Sequence, residues 1–338
     1  MVTIKEIAQK SGYSQATVSR LLNNDAKLSI SDKARNKILQ VAQELGYQRR
    51  DLKYTFKRKV ALLFRVTETE ELQDVYFNSL KKELMRQEKN FGVQLSLYHS
   101  VTQLLADAQE YCGFIGVGTH NLGQTQLQQL HAKFACGVFV DTNPAPKLFD
   151  SVQPNLSQTI LDGLNELSLA DKKKVGFIGG RGIKQLDGTV AYDERHLAFK
   201  TWAQQMKLYD PKYCFVSGEF GTDNGYRLGQ EIVAKLGKPC LPDAFIVASD
   251  ALSIGVLQAF NEAGILVPHD VALLSINNIK MAQYVSPPLT TYAIDQAELS
   301  RVALMLLSDS FDYQRRAKMH VYVDTQLVVR KSFIPKER

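Results

Sequence analysis

The chain has 338 residues, is 45% hydrophobic and 22% charged, and carries a formal net charge of +6, which leaves room for two or three folded domains and excludes a disordered or fibrous protein. No run approaches the roughly 18 apolar residues of a membrane span, and the opening MVTIKEIAQK is charged and amphipathic where a secretion signal would be apolar, so a cytoplasmic protein is expected. Cys112, Cys136, Cys214 and Cys240 are scattered among apolar neighbours without a CxxC pair, the usage of reduced thiols rather than of a disulfide framework.

The charge is concentrated at one end. Residues 1–59 hold 13 Lys and Arg against 5 Asp and Glu, a net +8, and the other 279 residues come to −2. A cationic head on a near-neutral body suits a nucleic-acid module joined to a region with a different partner. Thr3 with Glu6 forms a T-x-x-E capping box, which predicts a helix from Ile4 to about Lys10 with Gly12 as its left-handed stop. Ser14 caps a second helix over residues 15–23, and two short helices joined by about three residues containing Gly are the signature of a helix-turn-helix.

At about 100° per residue, Val18, Leu21 and Leu22 fall on the side facing the first helix, while Gln15, Ala16, Ser19, Arg20 and Asn23 fall on the other. A third helix, capped by Ser31 and ended by Gly46, carries Ala34, Ile38, Val41, Ala42 and Leu45 at helical spacing, so three helices can share one small core. Gln can read adenine with two bonds, Arg can read guanine in the same way, and Ala can lie against a thymine methyl. Arg20 is thus a candidate base reader, with a plain solvated charge as the bland alternative.

Residues 48–59, QRRDLKYTFKRK, set Arg49, Arg50, Lys53, Lys57, Arg58 and Lys59 against the single acid Asp51. Such a run stays in solvent, either as a flexible linker or as a segment tracking the DNA backbone, adding affinity without sequence information.

From Val60 onward, short apolar runs (VALLFRV, VQLSLY, GFIGVG, GVFVD, KVGFIGG, CFVSGEF, AFIVASD, VALLSINN) alternate with amphipathic helical stretches, the pattern of parallel sheets covered by helices. Two groups of about four strands, with TTYAI and VYVDTQLVVR in the tail, suggest two similar lobes rather than one very large sheet. Ligands sit beyond the carboxyl ends of such strands, and two lobes facing each other there form a cleft.

TIKEIAQKSGYSQATVSRLLN, followed by a third helix ending in ELGY, resembles the headpiece of the LacI/GalR family of transcriptional repressors. The order of motifs from Val60 to Lys331, including DERHLAF, DAFIVASDALSIGVLQAFNEAGILVPHDVALLSINN and PPLTTYAID, resembles the regulatory core of the same family, itself similar to periplasmic sugar-binding proteins.

The resemblance implies a three-helix head over residues 1–47, a basic linker over 48–59, and a two-lobed α/β core over 60–338. It places lobe one at about 60–156 and 291–320, lobe two at about 157–290 and 321–338, with passages near 156, 290 and 320. It implies that Gln15 and Ala16 choose a palindromic operator and that Thr17, Ser19 and Arg20 touch phosphate or bases. Thr3, Ser14, Asn23, Arg49 and Arg50 complete the candidate DNA contacts. The family's linker wedges a leucine into the minor groove from an A-x-x-L pattern after Pro-Asn; this linker is shorter and lacks both, leaving Leu52 or Phe56 as substitute wedges.

In the core the resemblance points to Arg195 (R-x-x-G-F, here RHLAF), Phe220 (here GEF), Asp250 in the SD pair, and Asn277, with Tyr76 and Phe77 from the other lobe, as effector contacts. Their chemistry suits a sugar: Arg, Asp and Asn can bond hydroxyls in pairs, and an aromatic ring can stack on the apolar face. Asn155 replaces the aspartate of the family's V-x-x-D motif, and Ile294 stands where several members place a polar contact. The short linker and TEELQDVYF resemble most the family's repressors of galactose or galactoside operons, implying galactose or a galactoside as effector.

The tail FIPKER lacks the leucine heptads of the family's tetramers, which implies a homodimer setting two heads on half-sites about one helical turn apart. No cofactor or metal is implied. Three rivals remain: an enzyme, for which GFIGGRG is the nearest approach to a dinucleotide loop with the wrong spacing; a transport sugar-binding protein, which leaves the basic head without a purpose; and a purine-responsive member of the same family.

Overall fold

The computed structural model describes residues 2–22, 25, 28–45, 47, 58–66, 75–118, 122–182, 193–313 and 315–336. Three short helices open the chain: α1 (Ile4–Ser11), α2 (Gln15–Leu22) and α3 (Asp32–Glu44). The capping box is closed from both sides, because Thr3 Oγ1 accepts from Glu6 N and the Glu6 carboxylate accepts from Thr3 N. Gly12 ends α1 at φ 79°. The Ser14 hydroxyl accepts from Thr17 N at 3.1 Å, and that of Ser31 from Ala34 N at 3.3 Å. Ile7, Val18, Leu21, Leu22, Ile38, Leu39 and Ala42 are buried together, so each eight- to thirteen-residue helix leans on the other two.

The remainder folds as two parallel sheets. The first contains β1 (Arg58–Phe64), β2 (Val93–Tyr98), β3 (Gly113–Val117), β4 (Cys136–Val140), β5 (Asp150–Pro154) and β11 (His320–Val323), in the order β11-β5-β4-β3-β1-β2. Both of its faces are covered, which is why β1 is apolar without alternation. Val60, Leu62 and Phe64 pack under α4 (Val75–Phe91) and α11 (Gln296–Tyr313), whereas Ala61 and Leu63 pack under α5 (Val101–Ala106) and α6 (Gln124–Lys133).

The second sheet contains β6 (Val175–Gly179), β7 (Cys214–Val216), β8 (Ala244–Val247), β9 (Ala272–Asn277), β10 (Thr290–Ala293) and β12 (Gln326–Val328), in the order β12-β10-β9-β8-β6-β7. Its ladders are parallel except that of edge strand β12, which runs antiparallel to β10. It is covered by α7 (Leu156–Leu169), α8 (Glu194–Gln205), α9 (Thr222–Leu236) and α10 (Asp250–Glu262). The last two approach backbone to backbone: a Cβ on Gly225 would stand 2.1 Å from the Leu252 carbonyl oxygen, and one on Gly255 2.1 Å from that of Thr222, so only glycine fits.

The chain leaves the first sheet after Pro154, returns after Ala293 and leaves again after Val323. This corrects the expected lobe boundaries at two strands. β10 belongs to the second sheet, where Thr290–Ala293 pairs with Leu274–Asn277, and β11 belongs to the first, where His320–Val323 pairs with Ser151–Pro154. The ladder partner, not the adjacent helix, decides the lobe of a short strand.

Candidate DNA-reading head and effector cleft

On the head, Gln15, Ala16 and Arg20 are exposed, Thr17 and Ser19 half-buried, and Val18, Leu21 and Leu22 buried. The structure thus places these five expected contact residues on α2, with its apolar side turned into the head's core. Arg20 is held rather than loose, since its Nε donates to Asp25 Oδ2 at 2.7 Å. An ion pair this exposed is weak and can be exchanged for a base edge or a phosphate. Ser14 and Thr17 share a hydroxyl–hydroxyl bond of 2.8 Å at the start of α2, and Thr3 is committed to its capping box. Asn23, Arg49, Arg50 and the wedge candidates Leu52 and Phe56 lie outside the described residues, as does Gly46.

In lobe two the strand ends converge as the sheet rule requires. Arg195, in the first turn of α8, is clamped: Nε and Nη2 donate to the two carboxylate oxygens of Asp193 at 2.8 Å each, Nη1 donates to the Ala248 carbonyl at 2.7 Å, and the guanidinium lies 4.4 Å from the centre of the Phe220 ring. Asp193 is also the N-cap of α8 and accepts from Arg195 N. Burial pushes the Asp193 carboxyl upward, but the charge and bonds of Arg195 outweigh it and hold the group below its ordinary range.

The neighbouring Glu194 is raised, first by burial and then by the charge of Asp193, with Asp141 of lobe one adding to it. Charges on both lobes therefore act on one carboxyl. Phe220 reaches the end of β6 because residue 180 is glycine; a Cβ there would meet its ring at 2.8 Å. The glycines of GFIGGRG thus include one that makes room for an aromatic rather than for a phosphate.

Asp250 requires a correction. Expected to bond a sugar hydroxyl directly, it is fully enclosed at the start of α10, with Oδ2 accepting from Ile279 N and Oδ1 from the Thr291 hydroxyl, both at 2.7 Å. Its position fastens the turn after β9, where Asn277 and Asn278 take φ values of 112° and 55°. Asn277 stands half-buried at the strand end. Arg330 braces the same turn by donating to Asn278 Oδ1 at 2.7 Å.

On the lobe-one side Tyr76 is only 4% exposed, which removes it as a free stacking surface. Its hydroxyl donates to Asp141 Oδ1 at 2.8 Å, and its ring meets the half-buried Phe77 edge to face at 5.2 Å. Asp141 terminates β4 in a left-handed conformation, φ 75°, and its carbonyl accepts from Gln153 Nε2. Sequence reasoning missed Asp193 and Asp141 as site residues, though both were visible: one is the cap before the DERHLAF helix, the other ends the run GVFVD.

Comparison with known proteins decides the family. Residues 3–50 match the model of bacterial regulatory proteins of the lacI family, and residues 167–333 that of a periplasmic binding protein-like domain. The HTH-type transcriptional regulator LacR of Lactobacillus helveticus is 44% identical over 338 residues, covering 100% of both chains. The chain belongs to the LacI family of transcriptional regulators. Members of this family are DNA-binding transcriptional regulators with a helix-turn-helix head.

Solved structures show the shared fold at low identity. A transcriptional regulator CelR–cellobiose complex aligns with TM-score 0.69 at 20% identity, covering 98% of this chain and 100% of that one. A lac repressor dimer bound to operator and the anti-inducer ONPF aligns with TM-score 0.65 at 18% identity, covering 98% of each. Among the described residues no helix is long and apolar enough to cross a membrane.

Proposed function

We propose that this LacI-family regulator represses a sugar-utilisation operon, binding a palindromic operator as a homodimer and releasing it when galactose or a galactoside enters the cleft. The observation that carries the reading is the built wall of lobe two. Arg195, oriented on three sides by Asp193, Ala248 and Phe220, sets a fixed guanidinium beside an aromatic ring, a pairing suited to a polyol with an apolar face. Asn277 adds an amide at the end of β9, and Asp141 adds an acceptor from the opposite rim.

The sugar acts only to the extent that it binds the two lobe arrangements unequally; favouring one, it changes the spacing of two paired heads and lowers operator affinity. Pairing has apolar surface to use on both lobes. Val75, Met85 and Leu97 are exposed on lobe one, and Met281 and Tyr284 on lobe two. The relatives add support, one solved as a dimer on its operator and another with cellobiose.

The test is a screen of galactose, lactose, other sugars and purine bases, scored by release of a defined palindromic duplex, with Trp202 fluorescence reporting binding. Release by galactose or lactose alone is expected. Release or tightening by a purine, or indifference to every sugar, overturns the effector reading. A monomeric mass in solution with operator bound overturns the homodimer.

A further inference from the structure

Two of the three passages between the lobes run side by side. Asn155 connects β5 to α7, and Asp324 and Thr325 connect β11 to β12. The ladder of lobe one continues into this region, since Asn155 N donates to the Val323 carbonyl at 2.9 Å. Beyond it the side chains take over. The Asn155 amide uses both of its ends: Oδ1 accepts from Gln158 N and caps α7 of lobe two, while Nδ2 donates to Asp324 Oδ1 at 2.9 Å. One turn further on, the buried Thr159 hydroxyl bonds the Asn155 carbonyl and the Thr325 hydroxyl, each at 2.8 Å. The third passage is different in kind, for Ile294 packs against the hydrophobic cores of both lobes.

The hinge is therefore greased on one side and bonded on the other. A greasy contact slides at little cost, whereas charge-assisted hydrogen bonds keep their geometry or are lost. The bond to Asp324 ties the cap of a lobe-two helix to the strand leaving lobe one. Only an amide does both jobs here. Aspartate caps a helix as well as asparagine, but it has no donor and would bring a second carboxylate against Asp324.

We propose that Asn155 and Asp324 form a clasp that fixes the angle between the lobes, making Asn155 a positioning residue for effector capture. The link to capture rests on the sugar-responsive reading of the cleft; the clasp itself does not. The test is a cycle of full-length proteins: wild type, Asn155→Asp, Asp324→Asn, and the double variant Asn155→Asp with Asp324→Asn. The double variant exchanges acceptor and donor, while a carboxylate at position 155 still caps α7.

Each protein is measured without ligand by small-angle scattering and with galactose and lactose by Trp202 fluorescence. Asn155→Asp is expected to increase the radius of gyration and weaken sugar binding about tenfold. Asp324→Asn should change little, and the double variant should return both readings to near wild type.

Equal scattering and equal affinity across all four proteins overturn the clasp. Equal impairment of Asn155→Asp and the double variant overturns it too, by showing that Asn155 works without Asp324. If wild type binds neither sugar, the effector reading has failed and scattering alone decides the clasp. Should Asn155→Asp not fold, Asp324→Ala removes the acceptor without joining two carboxylates; it is expected to open the cleft, and unchanged scattering and affinity overturn the proposal.

Discussion

On the head, Gln15, Ala16 and Arg20 stand exposed on a helix of eight residues, while on the lobe-two wall the Arg195 and Asp193 side chains are 14% and 17% exposed and bond mainly to the protein. On the proposed function the two regions face different ligands. Duplex DNA is large and highly charged, so weakly held side chains on a small scaffold suffice once many phosphate contacts add to them. A sugar is small and uncharged, and its few hydrogen bonds count only if the donors are already in place. The contrast predicts that losses on the wall spread into stability, whereas losses on the head stay in binding.

The largest expected effect comes from breaking the wall's ion pair. Arg195→Met leaves Asp193 without its cation and should cost about 3–5 kcal/mol of stability in addition to sugar binding. Adding Asp193→Asn to the same chain should recover much of the stability but not the sugar response. Thermal unfolding and sugar titration of the two variants check this, and a sugar response that returned with the neutral pair would mean that the wall needs no cation.

Acid should dissect the same pair less severely. Because Asp193 sits below its ordinary range in the fold, its stabilising contribution is present above the unfolded value of about 3.9 and is lost as pH falls through the lower folded value. Asp193→Asn should therefore be less stable than wild type near neutral pH, with the gap closing on acidification below about pH 4. Unfolding midpoints measured across that range check the sign.

How legible each region was in the sequence follows from the range of its interactions. The capping box, the Gly12 stop, the Ser14 cap and the buried face of α2 depend on residues at most a few positions apart, and sequence alone carries them. Eight strands, β1–β4 and β6–β9, were legible as short apolar-rich runs, whereas β5, Asp150–Pro154, reads DSVQP and carries no such run. The passages expected near 290 and 320 cut through the short strands β10 and β11, because their ladders join segments with no local signal of pairing. Arg195 and Phe220, expected to share one site, do lie against each other, yet the enclosure of Asp250 was not legible. Its partners Ile279 and Thr291 lie 29 and 41 residues away, and no spacing rule reports a carboxylate satisfied at that separation.

The head offers the smaller expected effects. Arg20→Ala should lower affinity for the specific operator by about 1–3 kcal/mol and relax selectivity at one base pair, leaving thermal stability unchanged; equal losses on operator and random duplex would make Arg20 a phosphate contact.

Smaller still is the contribution of Asp25, argued from the geometry that holds Arg20. The pair is exposed, with side-chain accessibilities of 48% and 32%, so as a stabiliser it is worth less than about 1 kcal/mol. What it does instead is aim the guanidinium before DNA arrives. Asp25→Ala should therefore leave the melting temperature within error and allow Arg20 more rotamers in the free protein. An arginine ordered only on binding pays about 0.5–1.5 kcal/mol in lost freedom, so operator affinity should fall by a few-fold. Removing a carboxylate beside a polyanion pushes the other way, by relieving repulsion with the phosphates. The salt series separates the two, because the repulsive part is screened and the ordering part is not. If affinity rises at low salt and matches wild type at high salt, repulsion was the larger effect and Asp25 does not orient Arg20; if a loss persists at high salt, the head too depends on a side chain placed in advance, and its contrast with the lobe-two wall is one of degree.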